Sequence, residues 1–261
     1  MKTYLFQFFG EKLALRLNSP IMARNLAAAF MVPFREAPSQ ASEGGRLIEM
    51  SVSLEDEENI ATSFPRYLLL FFTRLAVLLS DRFLFFHAAS FVTDNGVLAL
   101  CGSSGAGKTT LAMTAHYLGY AVSGEDFTAV DWRAGTVYPL SLPYRPRPKT
   151  REIFNHRGGG MPYRPSTCPA GRSLYRLFLT DEEAPMTRGL TRAVLGAPQM
   201  DRRQLVDKTL AAVKHCAVAP SPPVRIMSLP SHELADIFRL WIQAPHPTFP
   251  PEIFANKLLT T

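Results

Sequence analysis

Residues 102–110 read Gly-Ser-Ser-Gly-Ala-Gly-Lys-Thr-Thr and have the form G-x-x-x-x-G-K-[ST]. This spacing suits one kind of chemistry. The backbone N–H groups of Gly102, Ser103, Ser104, Gly105, Ala106 and Gly107 can turn inward around a polyphosphate, because three of the six residues are glycine. Lys108 then reaches the β- and γ-phosphates, the Thr109 hydroxyl fills one Mg2+ coordination site, and Thr110 closes the cradle. A second set of acids lies in Ser123-Gly124-Glu125-Asp126. Such a pair can face the γ-phosphate, with one carboxylate taking the proton of an attacking hydroxyl and the other holding Mg2+ or water. The same four residues also suit an ordinary polar β-turn, and both readings stay open.

The flanks agree with the loop reading. Gly96-Val-Leu-Ala-Leu-Cys101 is an apolar run of buried-strand type, and Lys108 to Leu118 has neither Gly nor Pro, so strand, loop and helix follow in the required order. Before them a helix (67–80) precedes a strand (83–90), and Asn95-Gly96 between apolar runs predicts a hairpin. The acid pair ends the strand after the loop's helix, and further strands are expected at 127–131, 136–142 and 173–179. Helices are expected at 201–215 and, capped by Ser231, to 243 with Trp241 on its apolar face, and a strand at 224–229 between them. Hairpins mixed with a crossover helix predict a mixed sheet.

Residues 1–60 read as a small N-terminal α/β lobe, and 61–261 as the nucleotide-binding domain. In the lobe, 4–9 and 13–17 pair as strands, and Ser19-Pro20 opens a helix to Phe30 with Ser19 as N-cap. A loop follows over 37–45, then a strand over 46–52. Glu55-Asp56-Glu57-Glu58 is a solvated helix start or linker, without the alternating spacing of a calcium loop.

Composition narrows the function further. The chain has 261 residues, 47% of them hydrophobic, enough for a real core. A net charge of +6 with only 19% charged residues and no long Lys/Arg run fits a protein that handles anionic phosphates or an acidic peptide better than one that binds nucleic acid. Three cysteines (Cys101, Cys168, Cys216) without C-x-x-C spacing argue against a disulfide framework or zinc site. Glu11 and Lys12 interrupt the first apolar stretch too early for a signal peptide, and the apolar 67–80 segment reads as a buried helix, so the expected location is cytoplasmic. No distal apolar strand ending in Asp, the mark of motor and switch NTPases, is visible.

Between about Phe83 and Asp131 the chain resembles the catalytic domain of the HPr kinase/phosphorylase family, and more closely its shortened HPr-kinase-like relatives. These include kinases of ribosomally made peptide clusters such as lasso peptides. Three features carry the resemblance: His87 in Phe-Phe-His-Ala-Ala, 21 residues before Lys108; the loop itself; and Gly119-Tyr120 followed by Glu125-Asp126, with Asp126 18 residues after Lys108. The resemblance implies a P-loop kinase core of HPr-kinase-like type. Asp126 is implied as the catalytic base, His87 as the histidine beside it, Glu125 as a metal or orienting group where the family usually has Asp, and Thr109 in place of the family's Ser. Taken alone, His87 equally suits a core histidine of an apolar strand. The bifunctional members' Arg- and Gly-rich signature cannot be aligned to Pro143–Gly171, and residues 1–60 are shorter than their N-terminal domain, so HPr docking and phosphorolysis are not expected.

The function expected is an ATP- and Mg2+-dependent kinase acting on a serine hydroxyl of a peptide or small protein. A small-metabolite acceptor and a non-catalytic nucleotide-binding scaffold are the alternatives, and a nucleic-acid-dependent ATPase is the least favoured. The basic cluster Arg145, Arg147, Lys149 and Arg151 suits either an acidic peptide, the nucleotide's phosphates or a solvated edge. Gly158-Gly-Gly160 in the irregular 143–172 segment suits either a phosphate-covering loop or a plain surface loop. A homo-oligomer is compatible with the resemblance.

Overall fold

The computed structural model describes residues 1–37, 46–101, 107–140, 142–145, 148, 150–151, 170–179, 194–214 and 216–220. The expected strand at 224–229, the Ser231 helix with Trp241, Gly158–Gly160, Arg147, Lys149 and Cys168 lie outside these residues, as does most of the 37–45 loop. The described chain is mixed α/β with two mixed sheets, divided between the units Met1–Asp81 and Arg82–Thr261.

The first unit begins with β1 (Lys2–Phe8) and β2 (Glu11–Leu17), which pair antiparallel as the sequence predicts. Phe9 and Gly10 join them with φ of 50° and 84°, the left-handed pair of a two-residue loop that matches strand twist. Tyr4, Phe6 and Phe8 are buried while Leu5 and Gln7 face out, the period of a one-sided strand. The predicted start of α1 (Pro20–Phe30) is borne out: Ser19 Oγ accepts from the Met22 N–H at 3.1 Å, and Pro20 opens the helix. After β3 (Arg35–Glu36) comes β4 (Arg46–Met50), parallel to β2, giving the order β3-β1-β2-β4. The acidic run forms the short α2 (Leu54–Glu58), capped by Ser53.

The long helix α3 (Ile60–Leu78) differs from its sequence reading. It starts seven residues earlier than expected and runs through Pro65, which cannot donate to the preceding turn but fits a helix whose remaining turns are held by packing. Its buried face includes Tyr67, Leu68, Phe71, Phe72 and Leu75, and the Phe71 ring lies 5.9 Å from Phe6 and 5.0 Å from Phe30. The helix therefore belongs to the first unit, and the boundary falls after Asp81 instead of after residue 60. By length and composition α3 is also the one described helix long and apolar enough to cross a membrane.

In the second unit, β5 (Phe83–Phe86), β6 (Ala88–Thr93), β7 (Gly96–Cys101), β8 (Val122–Gly124), β9 (Thr128–Asp131), β10 (Thr136–Tyr138) and β11 (Arg172–Leu179) form a sheet in the order β5-β9-β10-β11-β7-β6-β8. β12 (Ala217–Pro220) pairs with β11; the β11–β7 and β11–β12 pairs are parallel and the others antiparallel. The predicted β6–β7 hairpin forms, with Asp94-Asn95 as its loop. Val97, Ala99 and Cys101 of β7 join a cluster with Leu205, Val206 and Val213 of α5 (Arg202–Val213), while Leu98 and Leu100 join Leu111, Ala112 and Ala115 of α4 (Lys108–Tyr117). Alternate side chains of one strand thus feed two cores, which explains an apolar run without polar alternation.

One expected strand, 83–90, is in fact two. β5 pairs with β9 through Phe86↔Thr128, and β6 pairs with β7 starting at Ala88↔Cys101, so the chain changes neighbours at His87. The break falls at His87, one residue before Ala88, which pairs with Cys101, the last residue of the strand that leads into the glycine loop.

Candidate active site

The loop's described part begins at Gly107, whose φ of 86° is a left-handed conformation that glycine adopts without strain. Gly102, Ser103, Ser104, Gly105 and Ala106 lie outside the described residues. Lys108 is the first residue of α4 and is buried, and Thr109 and Thr110 follow it in the first turn. A helix N-terminus of this kind favours negative charge through its dipole and its spare N–H groups. The Thr109 hydroxyl donates to Glu125 Oε1 at 2.6 Å. Thr110 points elsewhere, its Oγ1 lying 3.0 Å from Thr150 Oγ1.

The acid pair is positioned by the end of β8. Gly124 pairs with Ser90, and a Cβ on it would run into the Phe127 carbonyl oxygen, so only glycine allows the chain to fold back this tightly. Beneath the turn, the Thr128 hydroxyl donates to the Ala88 carbonyl at 3.1 Å and lies 2.8 Å from Ser90 Oγ, bracing β6 against β9. The residues form a bend, as the turn reading expects, and the bend carries both carboxyls.

The two carboxyls sit in different surroundings. Glu125 is fully buried. Burial first, and the neighbouring Asp126 charge second, push its pKa up to about 7 against the opposing hydrogen bond from Thr109 and the charges of Arg145 and Lys108. Its Oε2 is buried without a hydrogen-bond partner among the described residues. Asp126 goes the other way. Burial acts to raise its pKa, yet the hydrogen bond from His87 and the charges of Arg145, His87 and Lys108 outweigh burial and hold it below the usual carboxylate range. His87 Nε2 lies 3.4 Å from Asp126 Oδ1, with its ring against Phe127 at 5.7 Å between centroids. Of the two readings of His87, the geometry therefore places it against the carboxylate, half-exposed, and outside the core.

Sequence reasoning gave Arg145 no preferred role. In the structure its guanidinium donates to Asp126 Oδ2. The segment before it returns to the acid pair because the Leu140 N–H donates to the Ser123 carbonyl at 2.6 Å. Leu142 and Tyr144 are then buried, with the Tyr144 hydroxyl 3.1 Å from His116 Nδ1 on α4. The available signal was the alternation of Leu140, Leu142 and Tyr144 with Ser141, Pro143 and Arg145, which marks an anchored segment but not its destination. Arg151 lies at the far end of the same segment and is exposed.

Cys101 is buried and its thiol is pushed up to about 12 by burial, which leaves it the inert hydrophobe expected. Among the described residues, no group of three or more His, Cys, Asp or Glu could hold a metal by itself. Mg2+ beside phosphates needs only one or two protein oxygens. Glu125, with an unpartnered buried oxygen, and the Thr109 hydroxyl bonded to its other oxygen fit that requirement. Comparison of the sequence with protein-family models gives no match, and comparison with curated proteins gives none either.

Proposed function

We propose that this chain is an ATP- and Mg2+-dependent kinase with a P-loop core of HPr-kinase-like type, which phosphorylates a serine hydroxyl of a peptide or small protein. The observation that carries the reading is the convergence of the helix N-terminus bearing Lys108 and Thr109 on Glu125-Asp126, with His87 on Asp126. Bound Mg2+ would be held by Thr109 and Glu125 and would neutralise charge on the β- and γ-phosphates. Lys108 meets the same phosphates from the start of α4. Asp126, ionised at neutral pH, accepts the proton of the acceptor hydroxyl as that oxygen bonds to the γ-phosphorus and the bond to the ADP oxygen breaks. His87 fixes the orientation of the carboxylate, so that one of its oxygens faces the acceptor. Products are the phosphoserine and ADP, and the proton passes from Asp126 to water.

Intact-mass analysis of candidate acceptor peptides, incubated with the protein, Mg2+ and ATP, tests the reading. A gain of one phosphate on serine, absent with Asp126→Asn although that variant still binds nucleotide, is the expected result. Nucleotide binding without any phosphorylated peptide would overturn the peptide kinase.

A further inference from the structure

In the reaction above Asp126 must accept a proton, yet one of its oxygens faces His87 Nε2 and the other carries Arg145. A guanidinium bonded to a carboxylate draws on its lone pairs and weakens it as a base. Asp126 does better once Arg145 lets go, and a binding site that supplies a stronger anion would make it do so.

The geometry offers that anion a place. Tyr144 and Thr150, on either side of Arg145 in the chain, both meet α4, the first at His116 and the second at Thr110, in the helix that begins with Lys108. The Arg145 side chain itself is only partly covered, at 37% exposed. Arg145 is bonded to Asp126, and the adjacent Glu125 is bonded to Thr109, which follows Lys108 at the start of the helix, so both cations belong to the surroundings of the acid pair. A terminal phosphate offers the guanidinium fork a bidentate partner with more charge than one carboxylate.

We propose that Arg145 is the γ-phosphate contact of this site: it pairs with Asp126 before nucleotide arrives, then moves its guanidinium to the terminal phosphate of ATP and frees Asp126 to act as base. The inference rests on the kinase reading and adds a residue to it. Binding energy for the nucleotide is thereby coupled to activation of the base, and the paired state keeps Asp126 neutralised when no phosphate is present.

Calorimetric titration with Mg2+ and either ADP or the non-hydrolysable β,γ-imido analogue of ATP tests it without an acceptor. Arg145→Ala should weaken the ATP analogue roughly ten- to a hundredfold, the range for a lost hydrogen bond to a charged group, and leave ADP within about twofold. Arg145→Lys, which keeps the charge and the stem, should recover part of the loss and guards against a folding defect in the alanine variant. Equal weakening of both nucleotides, or of neither, would overturn the role of Arg145 while leaving the kinase reading intact. Failure of the unaltered protein to bind either nucleotide would remove both.

Discussion

Replacing Glu125 by glutamine should change how the stability of the metal-free protein depends on pH. The carboxyl titrates near 7 in the fold and near 4.5 in the unfolded chain. Below 4.5 both states hold the proton. Between 4.5 and 7 the unfolded chain has released it while the folded one keeps it, so stability falls as pH rises. Above 7 both are ionised and the loss is complete. At about 1.4 kcal/mol per pH unit, the span amounts to about 3 kcal/mol. The glutamine side chain cannot titrate, so urea unfolding in EDTA at about pH 5, 6, 7 and 8 should show the Glu125→Gln variant gaining on the parent progressively. Asp126 is ionised across that window in both states and cancels from the comparison. The orphaned amide N–H of the new side chain, standing where Oε2 has no partner, costs a constant amount and shifts the curve without tilting it. Mg2+ with ATP should flatten the parent's slope, since a ligand that prefers the carboxylate lowers its pKa. Parallel stability curves for parent and variant would refute the argument that burial holds this carboxyl protonated.

Two further outcomes follow from the same turn. His87→Ala removes the hydrogen bond that does most to lower the Asp126 pKa, so the acid limb of the pH profile of kcat/KM should move to higher pH, read from initial rates between about pH 4 and 8. Gly124→Ala drives a methyl group into the Phe127 carbonyl and should cost about 3 kcal/mol, seen as a fall of about 6–12 °C in the unfolding midpoint by calorimetry, with nucleotide binding weakened because Glu125 moves away from Thr109.

Local rules wrote much of the frame openly. Ser19-Pro20 caps a helix in any context, because the hydroxyl and the missing N–H act within one turn. The β6–β7 hairpin was equally visible, since two apolar runs and a two-residue loop fix each other's register. The acid pair was legible from its place at the end of the strand that follows the loop's helix. What stayed hidden depends on contacts distant in the chain. Nothing local tells that β5 and β6 have different neighbours, so His87 looked like the middle of one strand when it marks the change from β9 to β7. The apolar face of α3 fits any core, and only its meeting with Phe6 and Phe30 assigns it to the first unit. Arg145 was one cation among four until the Leu140–Ser123 hydrogen bond carried its segment back to Asp126.

The division of labour in the acid pair comes from this long-range structure as well. Two adjacent carboxyls with equal surroundings would compete for one proton, and neither would have a fixed role. Here the longer Glu125 reaches inward to Thr109 and is fully buried, which favours its neutral form until a cation arrives. The shorter Asp126 remains where His87 and Arg145 reach it, which favours its charged form. Their environments push the two pKa values in opposite directions, the pattern by which one member of a carboxyl pair becomes a base and the other a ligand. The side chains that divide them, Thr109, His87 and Arg145, come from three separate segments, and moving any one of them would bring the pair back toward equivalence.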